Sequence, residues 1–262
     1  MPIKLGCITT IFHGQGLPLA RQIGSLRDLG CDFVDINENP DLMSMAELRE
    51  TLRSIQRNGV EVRAVFALYD LCITDPQVCR EVTASMNRRL DFGALCGATN
   101  LLAGVGRVPT LDSVDKAWRA SVEVMKRVSD HAGELGMAVA VELEPYDSAL
   151  VKDVGSMQAF LADVASPHCK ANLDIAHCVL RGISPDDVRA IADDVIHTHL
   201  ADCDGKVHVE SVPGTGVVDF AAYIDVLLAA GFTGGNAMEV QPSVDAEKLV
   251  AQGLAYMRNL YR

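Results

Sequence analysis

The chain has no apolar run approaching the roughly 20 residues of a membrane-spanning helix. It has no positively charged start leading into an apolar stretch, so no secretory leader is expected and a cytoplasmic location is. Basic residues are scarce: 23 Lys and Arg stand against 35 Asp and Glu, for a formal net charge of −12. Phosphate binding needs clustered Lys and Arg, so nucleic acid and anionic membrane surfaces are excluded as expected partners. Aromatic residues make up 5%, with Trp118 the single tryptophan. Trp118 lies on an expected helix, where packing is the reading, so a sugar-stacking tryptophan is not expected. Eight cysteines occur, yet no CxxC pair, and a chain this apolar needs no disulfide staples. They read as buried small apolar residues in a reducing compartment. Cys72, Cys178 and Cys203 fall near expected strand ends, where lining a pocket is the alternative.

No Pro- or Ser-rich break and no repeat divides the sequence. What is present is a rhythm of short apolar runs alternating with helical stretches. Strands are expected at Ile3 to Thr10, Asp32 to Asn37, Val60 to Ala67, Thr99 to Ala103, Met137 to Glu144, Cys169 to Ala176, Val195 to Ala201 and Gly235 to Val240. Helices are expected over Leu17 to Leu29, Met45 to Asn58, Asp75 to Cys96, Leu111 to Leu135, Gly155 to Ala165, from Ser184, over Asp219 to Ala230, and over Val244 to Leu260. Strands alternating with helices imply parallel βαβ units. Eight such units in 262 residues match an α/β (β/α)8 TIM barrel, which takes about 250 residues, as one domain over 1–262. An open doubly wound sheet is the alternative, but its later strands would not converge on one axis.

The last four strands share a feature. Each apolar run closes on a carboxylate or an imidazole: Glu142 and Glu144, Asp174, His197 and His199, and Glu239. Polar groups at the C-terminal ends of parallel strands are where barrel enzymes place their chemistry. Three hard oxygens and one imidazole suit a divalent cation such as Mn²⁺, Mg²⁺, Co²⁺ or Zn²⁺. Surface strand ends and salt bridges are the ordinary alternatives for the two glutamates, and a helix N-cap is the alternative for Asp174. His197 shares a strand face with His199 and reads either as support for it or as a core histidine one layer deeper.

Gly136-x5-Glu142, Asn172-Leu173-Asp174-x-x-His177, His197-x-His199-x-x-Asp202, Pro213-Gly214-Thr215-Gly216-x-Val218-Asp219-Phe220 and Gly235-x3-Glu239 together resemble the sugar phosphate isomerase/epimerase family, the xylose isomerase-like TIM barrels. The matches cover roughly residues 136 to 240. The resemblance implies a divalent metal, commonly Mn²⁺ or Mg²⁺, on Glu142, Asp174, His199 and Glu239, with His177 touching substrate. In ketose epimerases of this kind the two matching glutamates also exchange protons with the substrate carbons. The Gly136 spacing favours Glu142 over Glu144, which then reads as an exposed acid before Pro145. His199 as a ligand would need an acceptor for its other ring nitrogen, with Asp202 or His197 as candidates. Such barrels often pair through surface helices, so a homo-oligomer is a further implication.

Two positions depart from the family pattern. Its second glutamate, six residues after the first ligand, is Ser148 here, beside Asp147. Its sugar-gripping arginine, six residues after the histidine ligand, is Gly205. Lys206, His208 or Arg107 can substitute, and His13 at the end of strand one is a candidate pocket-wall residue. The expectation is a metal-dependent isomerase or epimerase of a small polyhydroxylated carbonyl compound. The runner-up is a dehydratase of an inosose- or dehydroshikimate-like substrate. A phosphoesterase like the abasic-site endonucleases conflicts with the acidic balance, and a non-enzymatic barrel leaves four filled ligand positions unexplained.

Overall fold

The computed structural model describes residues 3–108 and 113–261. Eight strands close into one parallel barrel in sequence order, β1 meeting β8. They are β1 Leu5–Ile8, β2 Phe33–Ile36, β3 Glu61–Ala67, β4 Asn100–Ala103, β5 Ala138–Glu142, β6 Cys169–Asp174, β7 Val195–Leu200 and β8 Gly235–Met238. The apolar runs are continuous because both faces of each strand are covered. One face lines the barrel and the other meets the helices.

The helical layer comprises α1 Leu19–Asp28, α2 Met45–Asn58, α3 Pro76–Cys96, α4 Val114–Glu134, α5 Val154–Val164, α6 Ile175–Leu180, α7 Pro185–Val188, α8 Phe220–Ala229 and α9 Ala246–Leu260. Their starts follow the capping residues. Ser44 and Glu47 form a reciprocal capping box on α2, and the Asp75 carboxylate accepts from the N–H groups of Gln77 and Val78 at the start of α3. The expected start of helix four at Leu111 lies outside the described residues. The expected strand six is two residues too long. The chain turns into α6 at Ile175 because the Asp174 side chain accepts from the His177 N–H and caps it. An apolar run cannot by itself distinguish a buried strand from a buried helix. The helix expected from Ser184 is the single turn α7.

Inside the barrel, Ile8, Phe33, Phe66 and Leu102 pack with Ala64, Ala140 and Ala237. Large and small side chains alternate so that the lumen fills. Phe33 lies against Gly6 and Gly235, where any Cβ would overlap its ring. Polar groups also occupy this interior. His197 Nε2 lies 2.8 Å from Asp35 Oδ2, and both residues are fully buried. The pair spans the lumen from β7 to β2. Removing one member of a buried pair strands the other without solvent. Asp35→Ala should therefore cost about 3–5 kcal/mol of folding stability in urea unfolding. An unchanged midpoint would show that the pair contributes nothing net.

Candidate metal centre and its approaches

Strand register brings the chemistry together. Glu142 ends β5 and pairs with Asn172, Asp174 ends β6 and pairs with His199, and His199 pairs with Ala237 on β8. Glu239 follows β8 directly. One ligand atom from each of Glu142, Asp174, His199 and Glu239 lies within 4.8 Å of the others. His199 Nδ1 is 2.7 Å from Glu142 Oε1 and 2.7 Å from Glu239 Oε2. Phe66 stacks on the His199 ring, with centroids 5.6 Å apart. The Asn172 amide donates to Glu142 Oε1 at 3.1 Å. Asp174 spends Oδ1 on the His177 N–H, and its Oδ2 is buried with no hydrogen-bond partner among the described residues.

Three crowded carboxylates, with Glu142 and Asp174 buried and Glu239 partly so, demand positive charge. Burial raises the Asp174 carboxyl, and Glu239 and Glu142 add to that against the opposing pull of His177, bringing it to about 6. Burial would raise Glu142 too, but His199 overrides it and holds the carboxyl at about 2. Burial disfavours an imidazolium at His199, yet the flanking Glu239 and Glu142 raise its pKa well above the usual range. The donor set, the orphaned Asp174 Oδ2 and the excess of negative charge all fit a hard divalent cation.

The other expected site residues scatter. His177 lies beside the cluster: Nδ1 is 2.7 Å from the Leu143 carbonyl oxygen, and Nε2 is 2.9 Å from His208 Nε2. His208 Nδ1 is in turn 3.0 Å from the Tyr146 hydroxyl. Arg107 stacks its guanidinium 3.8 Å from the Tyr146 ring centroid. Lys206 is exposed on a turn closed by the Asp204 carboxylate and is not brought to the cluster. His13 is exposed at the rim, with Nε2 3.2 Å from the Asn37 carbonyl oxygen.

Neither candidate supports His199. His197 is committed to Asp35. Asp202 accepts instead from the backbone N–H groups of Cys203, Gly214, Gly216 and Val218, so it organises the loop after β7. A Cβ at Gly216 would overlap that carboxylate. Glu144 is not an exposed acid. It is half-buried beside Gly104, in a cleft shared with Leu68, Asp70 and Arg107. Burial and then Glu142 push its carboxyl up to about 7. Seven of the eight cysteines are buried, in keeping with a packing role, and Cys79 is partly so.

Sequence reasoning missed Tyr146 and Glu210. Tyr146 sits two residues beyond Glu144, and its place after a strand end was the available signal. Glu210 lies in the irregular loop after β7, where no periodicity points to it.

The xylose isomerase-like TIM barrel model matches residues 23–260 of this chain. The chain belongs to that family. Over 93% of its length it is 25% identical to an L-ribulose 3-epimerase from Mesorhizobium japonicum, covering 82% of that protein. A ketose 3-epimerase from Arthrobacter globiformis is 24% identical over 99% of this chain and 91% of its own length. Among solved structures, the 3-keto-D-glucoside 4-epimerase of E. coli superposes with a TM-score of 0.85 at 17% identity, over 98% of this chain and all of that one. The named relatives are sugar epimerases, and they bear out the expectation of an enzyme of the isomerase and epimerase class. Among the described residues no helix is long and apolar enough to cross a membrane.

Glu210 feels the charge of the same cluster. Burial, then Glu239, Asp174 and Glu142, push its carboxyl up to about 7. Between the ordinary carboxylate range and that value, the folded protein keeps a proton that the unfolded chain has lost. Stability contributed by this group therefore falls as pH rises through the window. In the metal-stripped protein, Glu210→Gln should lose that part of the slope in urea unfolding between about pH 5 and about pH 7.5. An identical slope in both proteins would show that the carboxyl titrates normally.

Proposed function

We propose that this chain is a divalent-metal-dependent epimerase or isomerase of a small ketose or related polyhydroxylated carbonyl compound, moving a proton on the carbon beside the carbonyl. The observation that carries this reading is the meeting of Glu142 and Glu239 from different strands at one imidazole nitrogen, with Asp174 completing the set. The names of the curated relatives support the ketose class. Glu142, Asp174, His199 and Glu239 would hold the cation, and Mn²⁺ suits them as well as Mg²⁺, Co²⁺ or Zn²⁺. When bound, such an ion supplies the positive charge that lowers the energy of an enediolate.

The protein's own groups move the proton. Glu142 and Glu239 approach from opposite ends of the strand series β5 to β8, so each can address a different face of a sugar lying between them. One removes the proton and the other returns it, which inverts the carbon. Return to the neighbouring carbon would instead shift the carbonyl. His177 and His208 form the polar wall beside the reacting carbons. A dehydratase would share the first proton removal and then expel a hydroxyl, and the relatives favour the epimerase.

The test has two readouts. The purified protein should carry about one divalent ion per chain by elemental mass spectrometry, and Glu239→Gln should lose most of it. In D₂O the wild type should wash deuterium into the carbon beside the carbonyl of an accepted ketose. Glu239→Gln should do so at least about 10²–10⁴-fold more slowly. A protein that takes up none of the four metals overturns the reading, and so does a product lighter by one water.

Because a bound histidine must be neutral while His199 in the ion-free cluster holds a proton, metal uptake should release protons. Titrating Mn²⁺ into the metal-stripped protein in weak buffer should lower the pH, and affinity should fall as pH falls. Binding without proton release would place the metal elsewhere.

A further inference from the structure

His177 lies on the short helix α6 and His208 on the loop after β7, yet their rings meet nitrogen to nitrogen. The distance from Nε2 to Nε2 is 2.9 Å, a hydrogen-bond length. Two imidazole nitrogens that close share a single proton, because two N–H groups or two lone pairs facing one another would repel. The outer ends of the pair are anchored. His177 Nδ1 faces the Leu143 carbonyl oxygen at 2.7 Å, and a carbonyl only accepts, so this nitrogen carries a hydrogen. His208 Nδ1 faces the Tyr146 hydroxyl at 3.0 Å, and a hydroxyl can take either role. Tyr146 is held by the Arg107 guanidinium stacked on its ring. His177 is 4% exposed and lies beside Asp174, whereas His208 is half-buried on the loop after β7. One partner is therefore fixed next to the cluster, and the other can yield.

We propose that the His177–His208 pair is a specificity-determining reader of one free hydroxyl on the substrate, which enters between the two Nε2 atoms, with Tyr146 as the positioning residue that orients His208. This rests on the reading of the site as a sugar epimerase. Between the two rings there is one donor and one acceptor, whichever ring holds the proton. A hydroxyl is the small group that both donates and accepts, so it replaces the direct bond with two and leaves both outer hydrogen bonds intact. A neutral ether oxygen only accepts and would leave one imidazole lone pair unsatisfied, and an anionic oxygen would require a second proton on the pair. An ammonium only donates. A missing hydroxyl returns nothing for the bond between the rings. Sites that hydrogen-bond a substrate hydroxyl discriminate strongly against analogues lacking it. Arg107 then acts on substrate only indirectly, by fixing Tyr146.

The experiment has a binding arm and a kinetic arm, both on the metal-loaded protein. In the ¹⁵N-histidine-labelled wild type, a nitrogen–nitrogen coupling across the hydrogen bond should join His177 and His208. Adding D-fructose, D-tagatose or L-ribulose should abolish it, and the mono-deoxy or mono-O-methyl ketose altered at the recognised position should leave it in place. In the kinetic arm, the wild type should prefer the parent ketose to that derivative by about 10²-fold or more in kcat/KM. His208→Ala should bring the ratio to within about threefold of unity. Tyr146→Phe, which removes one oxygen atom, should lower it by about tenfold while raising KM more than it lowers kcat.

A coupling that survives saturating parent ketose overturns the proposal, as does a preference that His208→Ala leaves unchanged. Failure of the epimerase reading looks different. There, no ketose exchanges deuterium with the wild type, while the coupling arm still reports whether a hydroxyl enters the pair.

Discussion

Everything in the upper half of this barrel follows from three carboxylates being held around one buried imidazole. Glu142, Asp174 and Glu239 would repel one another and draw water in if the scaffold allowed it. The scaffold does not, because β5, β6, β7 and β8 are neighbours in a closed sheet and cannot move apart singly. The backbone hydrogen bonds of the barrel therefore hold a charge arrangement that is unfavourable by itself. The lumen below, filled by Phe33, Phe66 and three alanines, keeps the floor of the cluster dry. Such preorganisation lets a fixed electrostatic environment act on developing charge without reorganising at the moment of reaction.

The polar interior has two levels that do separate things. Asp35 and His197 settle their charges on each other across the lumen and take no part in the cluster above. His199, two residues along the same strand, faces the carboxylates. Alternation along β7 puts both rings inside, and depth alone separates the Asp35–His197 pair from the carboxylate cluster. That division explains why His197 could not be assigned from spacing.

The fold was legible because its signals are local. Apolar runs of strand length, capping residues and short connectors recur eight times, and each identifies one unit without knowledge of the others. Glu142, Asp174, His199 and Glu239 were legible for a related reason: strand ends of a parallel barrel converge, so order along the chain becomes proximity in space. The approaches to the cluster were only partly legible: His208 was named as one of three candidates, whereas Tyr146 and Glu210 were missed. Tyr146, His208 and Glu210 sit in loops whose paths depend on tertiary hydrogen bonds, so Lys206 and His208, two residues apart, end in opposite environments. Glu144 was misread because its surroundings come from Gly104, on a different strand-end loop. Asp202 was misread because a carboxylate beside a ligand strand resembles support for the ligand, while its four donors come mostly from a turn more than ten residues away.

That carboxylate gives the loop after β7 a fixed foot and a free tip. The backbone amides of residues 203, 214, 216 and 218 converge on it, and the Asp202–Ser211 bridge closes the base. The stretch from Asp204 to Glu210, which carries His208, is tied to the barrel only through its ends and a few side-chain contacts. Such a segment is an exchangeable cassette. Residues 204 to 209 can be replaced without disturbing the barrel hydrogen bonds, whereas Glu210 shares the charge of the carboxylate cluster. Descendants of this chain can therefore change the rim of the site by rewriting about six residues while inheriting the carboxylate cluster.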